Sequence, residues 1–220
     1  MGEVAAGEPR EPGPAGVQAP VGLREMKKQR TREAIAAAAM ELFVSLGFDS
    51  TTVAEVARAA EVSEATVFNY FRTKEDLVFQ KLDRFWDGML AAIEDRPPAS
   101  GIVDAVEGFL LERRPSAETR RERERLAAVN RMIAASPSLL DRERASYDGA
   151  AVALADVIAR TTAAGQDAAA AAHMILGVHR SLVAFTRGQV RDGVAGDELA
   201  RRVAERTRNG YALLRGGVDF

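Results

Sequence analysis

The chain has 220 residues, 47% hydrophobic and 28% charged, with a net charge of −2 and no cysteine. That size and composition suit one or two globular domains and exclude a disulfide-stapled scaffold or a thiolate metal centre. No uninterrupted apolar run reaches the roughly 18 residues of a membrane span, and the opening MGEVAAGEPREPGPAGVQAP lacks the apolar core of a signal peptide, so the expectation is a cytoplasmic protein without a membrane partner.

In chain order, Pro9, Pro12, Pro14 and Pro20 stand among Gly and Ala, and residues 1–23 are predicted to be a disordered tail. From Lys27 the pattern turns helical. A first helix is predicted to run to about Leu46, with Ile35, Ala38, Ala39, Leu42 and Phe43 on one face and Gly47 as its C-cap. Thr51 or Thr52 caps a second helix that turns Val53, Val56, Ala57 and Ala60 inward, and Glu61-Val62 makes the turn. Ser63 caps a third helix, Glu64 to Tyr70, and Thr73 a longer fourth with Leu77, Val78, Leu82, Phe85 and Met89 at helical spacing. The run RPPASG, Arg96 to Gly101, breaks the pattern and is the expected domain boundary. Five further helical segments follow at about 102–114, 116–135, 137–163, 167–191 and 196–215, with Pro115 and Pro137 at first-turn positions, each beside a serine. No sustained alternation of β-branched residues occurs. The expected fold class is all-α, about nine helices.

The second and third helices have the makings of a helix-turn-helix. Ala57 and Ala60 are small enough for a close crossing, and Val62, Val67 and Phe71 supply the shared apolar contact. The third helix then faces outward with Glu64, Ala65, Thr66, Phe68 and Asn69. Asn makes bidentate bonds to adenine, and Thr offers a hydroxyl or methyl to base edges or phosphate. Tyr70 and Lys74 lie one turn further on, where a phenol and an ammonium reach the phosphate backbone. The amides opening the fourth helix offer an anion site. A local basic edge, Arg24, Lys27, Lys28, Arg30 and Arg32 against a single Glu25, precedes the motif; such an edge suffices for DNA even in a mildly acidic chain.

The words TREAIAAAAMELFVSLGF and TTVAEVARAAEVSEATVFNYFRTKEDL resemble the N-terminal domain of TetR/AcrR-family transcriptional regulators. The resemblance implies a helix-turn-helix DNA-binding domain over 24–73, a linking helix over 74–96, a ligand-binding and dimerisation domain over 97–220, and a homodimer. By position it implies phosphate contact at Thr52, a groove face formed by Ser63, Glu64, Ala65, Thr66, Phe68 and Asn69, and a backbone clamp by Tyr70 and Lys74. It also implies a minor-groove arm around Lys28 and Arg30. The chain departs from the family twice: Phe68 stands where many members have Tyr, and Glu61 where they often have Gly.

Beyond Gly101 the chemistry is less pointed. The charged run of 118–125 reads first as a solvated helix face, supported by pairs such as Arg120–Glu124. The words AAVNRMIAASPSLLDRERASYDGAAVALADVIA resemble the sensor domain of family members that bind acyl-CoA-like ligands, which makes Asn130, Arg131, Tyr147 and His179 the candidate ligand-binding residues. His173 and His179 lie six apart, off the i,i+4 spacing of a shared metal, and no carboxylate joins them; no metal and no cofactor is expected. No catalytic motif is present. Two apolar stripes, Met174, Val178, Leu182 and Phe185, then Leu199, Val203 and Leu213, are the candidate dimer interface. The expected function is a homodimeric repressor released from a palindromic operator in double-stranded DNA by a small lipophilic or acyl-CoA-like effector. An activator, a constitutive DNA-binding protein, and an enzyme or carrier with a vestigial DNA-binding domain are the alternatives.

Overall fold

A computed structural model of the chain describes residues 21–115 and 119–216. The described residues form nine α-helices: α1 Val21–Leu46, α2 Val53–Ala59, α3 Glu64–Tyr70, α4 Lys74–Glu94, α5 Ile102–Glu112, α6 Arg120–Ala135, α7 Pro137–Thr161, α8 Ala168–Arg191 and α9 Gly196–Gly216. A short 3₁₀ turn, Gly165–Asp167, leads into α8. No strand occurs among them.

Four of the helix starts follow from capping side chains. Thr52 accepts from the Glu55 amide while the Glu55 carboxylate accepts from the Thr52 amide. Thr73 with Asp76 and Thr119 with Glu122 repeat this reciprocal arrangement at α4 and α6, and Ser63 accepts from the Thr66 amide at α3. Each such cap is worth about 0.5–2 kcal/mol. Gly47, at φ +94°, ends α1, with its amide donating to Phe43 O. Thr51 is not a cap: it is buried and donates to Gly47 O.

Two expected helix starts move, and one expected cap is absent. α1 begins at Val21, so residues 21–23 form its first turn rather than part of a tail, while residues 1–20 of the expected tail lie outside the described residues. α6 starts at Arg120, not near 116, because the Thr119–Glu122 box supplies the cap; Pro115 precedes it in the connection. Pro137 does open α7, but Ser136 donates to Asp49 at 3.4 Å instead of capping.

Two apolar cores are joined by α4. The first packs Ile35, Phe43, Val56, Val67, Phe71 and Leu77 of α1–α4 together with Ile133 and Leu139 from α6 and α7. The second packs Trp86, Met89 and Ile93 of α4 against α5, α7, α8 and Tyr211 of α9. α4 therefore spans both. Residues 165–191 are long and apolar enough by length and composition to cross a membrane, yet Ala172, Ile175, Leu176 and Leu182 within them belong to this second core.

Candidate nucleic-acid interface and sensor cavity

α3 is held from below and presented above. Val67 and Phe71 are 1% and 2% exposed, which fixes the helix on α1, α2 and α4. On the opposite face Glu64, Ala65, Phe68 and Asn69 are exposed, and Phe68 keeps 52% of its surface in water. Ser63 Oγ and Thr66 Oγ1 lie 2.8 Å apart, so Thr66 is tied to the cap. Asn69 and the Tyr70 hydroxyl make no hydrogen bond among the described residues. The turn before α3 keeps the left-handed geometry that glycine favours, with Glu61 at φ +55°. Val62 N donates to Ala57 O at 2.9 Å, so the turn closes despite that substitution.

Three residues expected to contact DNA sit differently. Lys74 Nζ turns inward, donating to Phe48 O at 2.9 Å and Thr51 O at 3.1 Å, 4.3 Å above the Phe48 ring. Two of its three protons thus hold the α1–α2 turn, leaving one for a phosphate. Lys28 and Arg30 are exposed but lie within α1, not on an extended arm. Thr52 is exposed, with its hydroxyl on the Glu55 carboxylate at 2.9 Å. At α4 the capping box has already taken the Thr73 and Asp76 amides, which narrows the expected anion site. Arg72 was not anticipated. It is exposed directly after α3, with no ion pair among the described residues, and the signal for it was a cation one step from Tyr70.

The sensor candidates are dispersed. Tyr147 and His179 are buried and paired, Tyr147 Oη to His179 Nδ1 at 2.9 Å, inside a ring cluster with Phe85 and Trp86. Trp86 Nε1 donates to Ser146 at 2.9 Å beside them. Burial pushes His179 down to about 4 and Tyr147 up to about 12. Asn130 and His179 line a cavity of about 260 Å³. Tyr147 lines a different one of about 870 Å³, bounded by α1, α4, α6, α7 and α8, and Leu126, Val183 and Arg187 border both. Arg131 faces neither: it is exposed, beside Gly47–Ser50. His173 is exposed on the surface of α8, apart from buried His179.

The dimer candidates also divide. Met174 and Leu213 are 57% and 55% exposed, and Val178 and Phe185 are half-buried. Leu182, Leu199 and Val203 are buried within the chain, so they belong to its core and not to an outer face. Val178 packs at the α8–α9 crossing, where a Cβ on Gly210 would meet its Cγ1 at 2.8 Å.

A polar strut ties the two halves together. Arg142 of α7 donates to Asp76 at 2.8 Å and Asp83 at 3.0 Å, both on α4. Burial works against the Asp76 carboxylate, yet the bonds from Arg142 and Thr73 together hold it below its ordinary value.

Residues 35–80 match the family described as bacterial regulatory proteins, tetR family. The chain is 37% identical over 87 residues to the HTH-type transcriptional regulator TcmR of Streptomyces glaucescens, a match covering 40% of this chain and only 38% of TcmR. It is 48% identical over 48 residues to the regulator YvkB of Bacillus subtilis, covering 22% and 25% of the two chains. Among solved structures, the fatty acid degradation regulator FadR of Bacillus halodurans superposes with a TM-score of 0.54 at 19% identity, covering 86% of this chain and 96% of that one. Thermus thermophilus FadR, a repressor solved with lauroyl-CoA, gives 0.50 at 22%, covering 86% and 95%. At these identities the structures speak to the fold alone.

Proposed function

We propose that this chain, whose residues 35–80 match the tetR family of bacterial regulatory proteins, is a TetR/AcrR-family transcriptional regulator: a homodimeric repressor released from a palindromic operator by a small lipophilic or acyl-CoA-like effector. The observation that carries the reading is α3, rooted by Val67 and Phe71 and facing outward with Phe68 and Asn69 free of partners. One such helix reads too few bases for selectivity; a two-fold dimer sets two of them about 34–36 Å apart on one face of the duplex. Release requires that the effector bind one spacing better than the other by about a few kcal/mol. The strut from Arg142 to Asp76 and Asp83 gives α7 a mechanical hold on α4, and so on α3. The largely apolar lining of the cavity bounded by α1, α4, α6, α7 and α8 supports a lipophilic effector.

The test is selection of bound sequences from random DNA. A palindrome is expected to emerge; its failure to appear ends the reading. Asn69→Ala is expected to shift base preference, whereas Tyr70→Ala weakens binding to every sequence and leaves the salt slope unchanged, because a neutral phenol displaces no counterion. Equal losses on selected and random DNA for Asn69→Ala would remove its base-reading role.

A further inference from the structure

Within the cavity of about 870 Å³, Gln80 of α4 stands out. The residue is 4% exposed and lines the cavity, and its amide nitrogen is buried with no hydrogen-bond partner among the described residues. A buried donor left unpaired is unfavourable and rare in folded proteins. The nearby walls are largely apolar, with Ala36 and Met40 from α1, Leu82 from α4 and Val129 from α6. Two wall cations are already neutralised, Arg84 by Glu33 and Arg187 by Glu143. Lys81 and Arg125, both exposed, remain at the solvent side.

We propose that this cavity is the effector site and that it takes a largely apolar molecule bearing a carbonyl oxygen, which accepts a hydrogen bond from Gln80 Nε2. The volume falls within the usual range of roughly 300–1,000 Å³ for small-molecule sites. The inference rests on the ligand-responsive reading above and gives it a place and a chemistry. Its mechanical corollary is specific. Ala36, Ala37 and Met40 belong to α1, so the occupant presses on the DNA-binding half directly. The same molecule touches α6 through Val129 and α4 through Gln80, and a thicker occupant must part α1 from α6.

Gln80→Leu keeps the volume and removes the donor; Ala37→Phe, at an exposed position of α1, fills the cavity from the other side. The full chain and both variants are titrated with 2-undecanone and with undecane, followed by calorimetry and melting temperature. The wild type is expected to bind the ketone at least about tenfold tighter than the alkane, because a site built around a donor rejects an isostere lacking the acceptor. Gln80→Leu should bring the two to parity, and Ala37→Phe should abolish both. Equal binding of ketone and alkane by the wild type, no ketone binding at all, or a preference untouched by Gln80→Leu overturns the proposal. Should Gln80→Leu not fold, ketone binding unaffected by Ala37→Phe overturns it equally. DNA affinity of the same proteins separates the two readings. Ketone binding that leaves DNA affinity unchanged sinks the switch and spares the site; effector-driven release indifferent to both variants sinks the site and spares the switch.

Discussion

His179 shows how a single side chain couples this fold to pH. The unfolded chain protonates the ring near 6.5, whereas burial among Phe85, Trp86 and Tyr147 lowers that to about 4 in the folded state. Between those values the unfolded state binds the extra proton. Stability is therefore full above about pH 6.5 and declines as the pH falls toward 4, by roughly 3 kcal/mol in total. Melting temperatures at pH 7 and pH 5 check this: the wild type should lose several degrees, while His179→Asn should start lower and change less. At this scale the sequence was legible where chemistry is local. The caps Thr52, Ser63 and Thr73 each bond a residue three positions on, and that spacing is visible in the letters. Arg131 follows Asn130 on α6, but consecutive helical residues point about 100° apart, and here Asn130 lines the smaller cavity while Arg131 stands beside Gly47–Ser50. Gln80 gave no signal at all. Its solitude depends on how far apart α1, α4 and α6 stand, which no run of residues encodes.

Among the elements, α4 is the one that every other argument meets. Its first turn is capped by Thr73 and Asp76, its middle faces the large cavity, and its C-terminal half lies in the sensor core. Arg142 grips Asp76 and Asp83 with side-chain exposures of 22%, 21% and 37%, sheltered enough for the pairs to count. Arg142→Gln is expected to cost roughly 1–2 kcal/mol, read as a lower melting temperature. It should also blunt the loss of DNA affinity on adding effector; an unchanged response would show that α7 does not drive α4. The length of α4 was legible from its apolar spacing. The start of α1 was not, because Val21 to Leu23 adjoin a Pro- and Gly-rich stretch without a capping side chain.

For the whole molecule, the proposed dimer rests on the outer faces of α8 and α9. Amphipathic stripes on these helices mark their inner side, which is why Leu182, Leu199 and Val203 proved to be core. Met174 and Leu213 are the large apolar groups left in water there. Met174→Glu together with Leu213→Glu should yield monomers in analytical ultracentrifugation and reduce affinity for a full palindrome far more than for a half-site. A dimer that survives the pair would place the interface elsewhere. Assembly also multiplies what each α3 presents. In the proposed dimer two Phe68 rings would face the duplex, each with about half its surface hydrated beforehand. Setting them against thymine methyl groups sheds ordered water instead of counterions, so that share of the affinity persists as ionic strength rises and appears as a negative heat-capacity change. In the proposed complex Phe68, standing where many family members have Tyr, adheres by the hydrophobic effect in place of a phosphate bond.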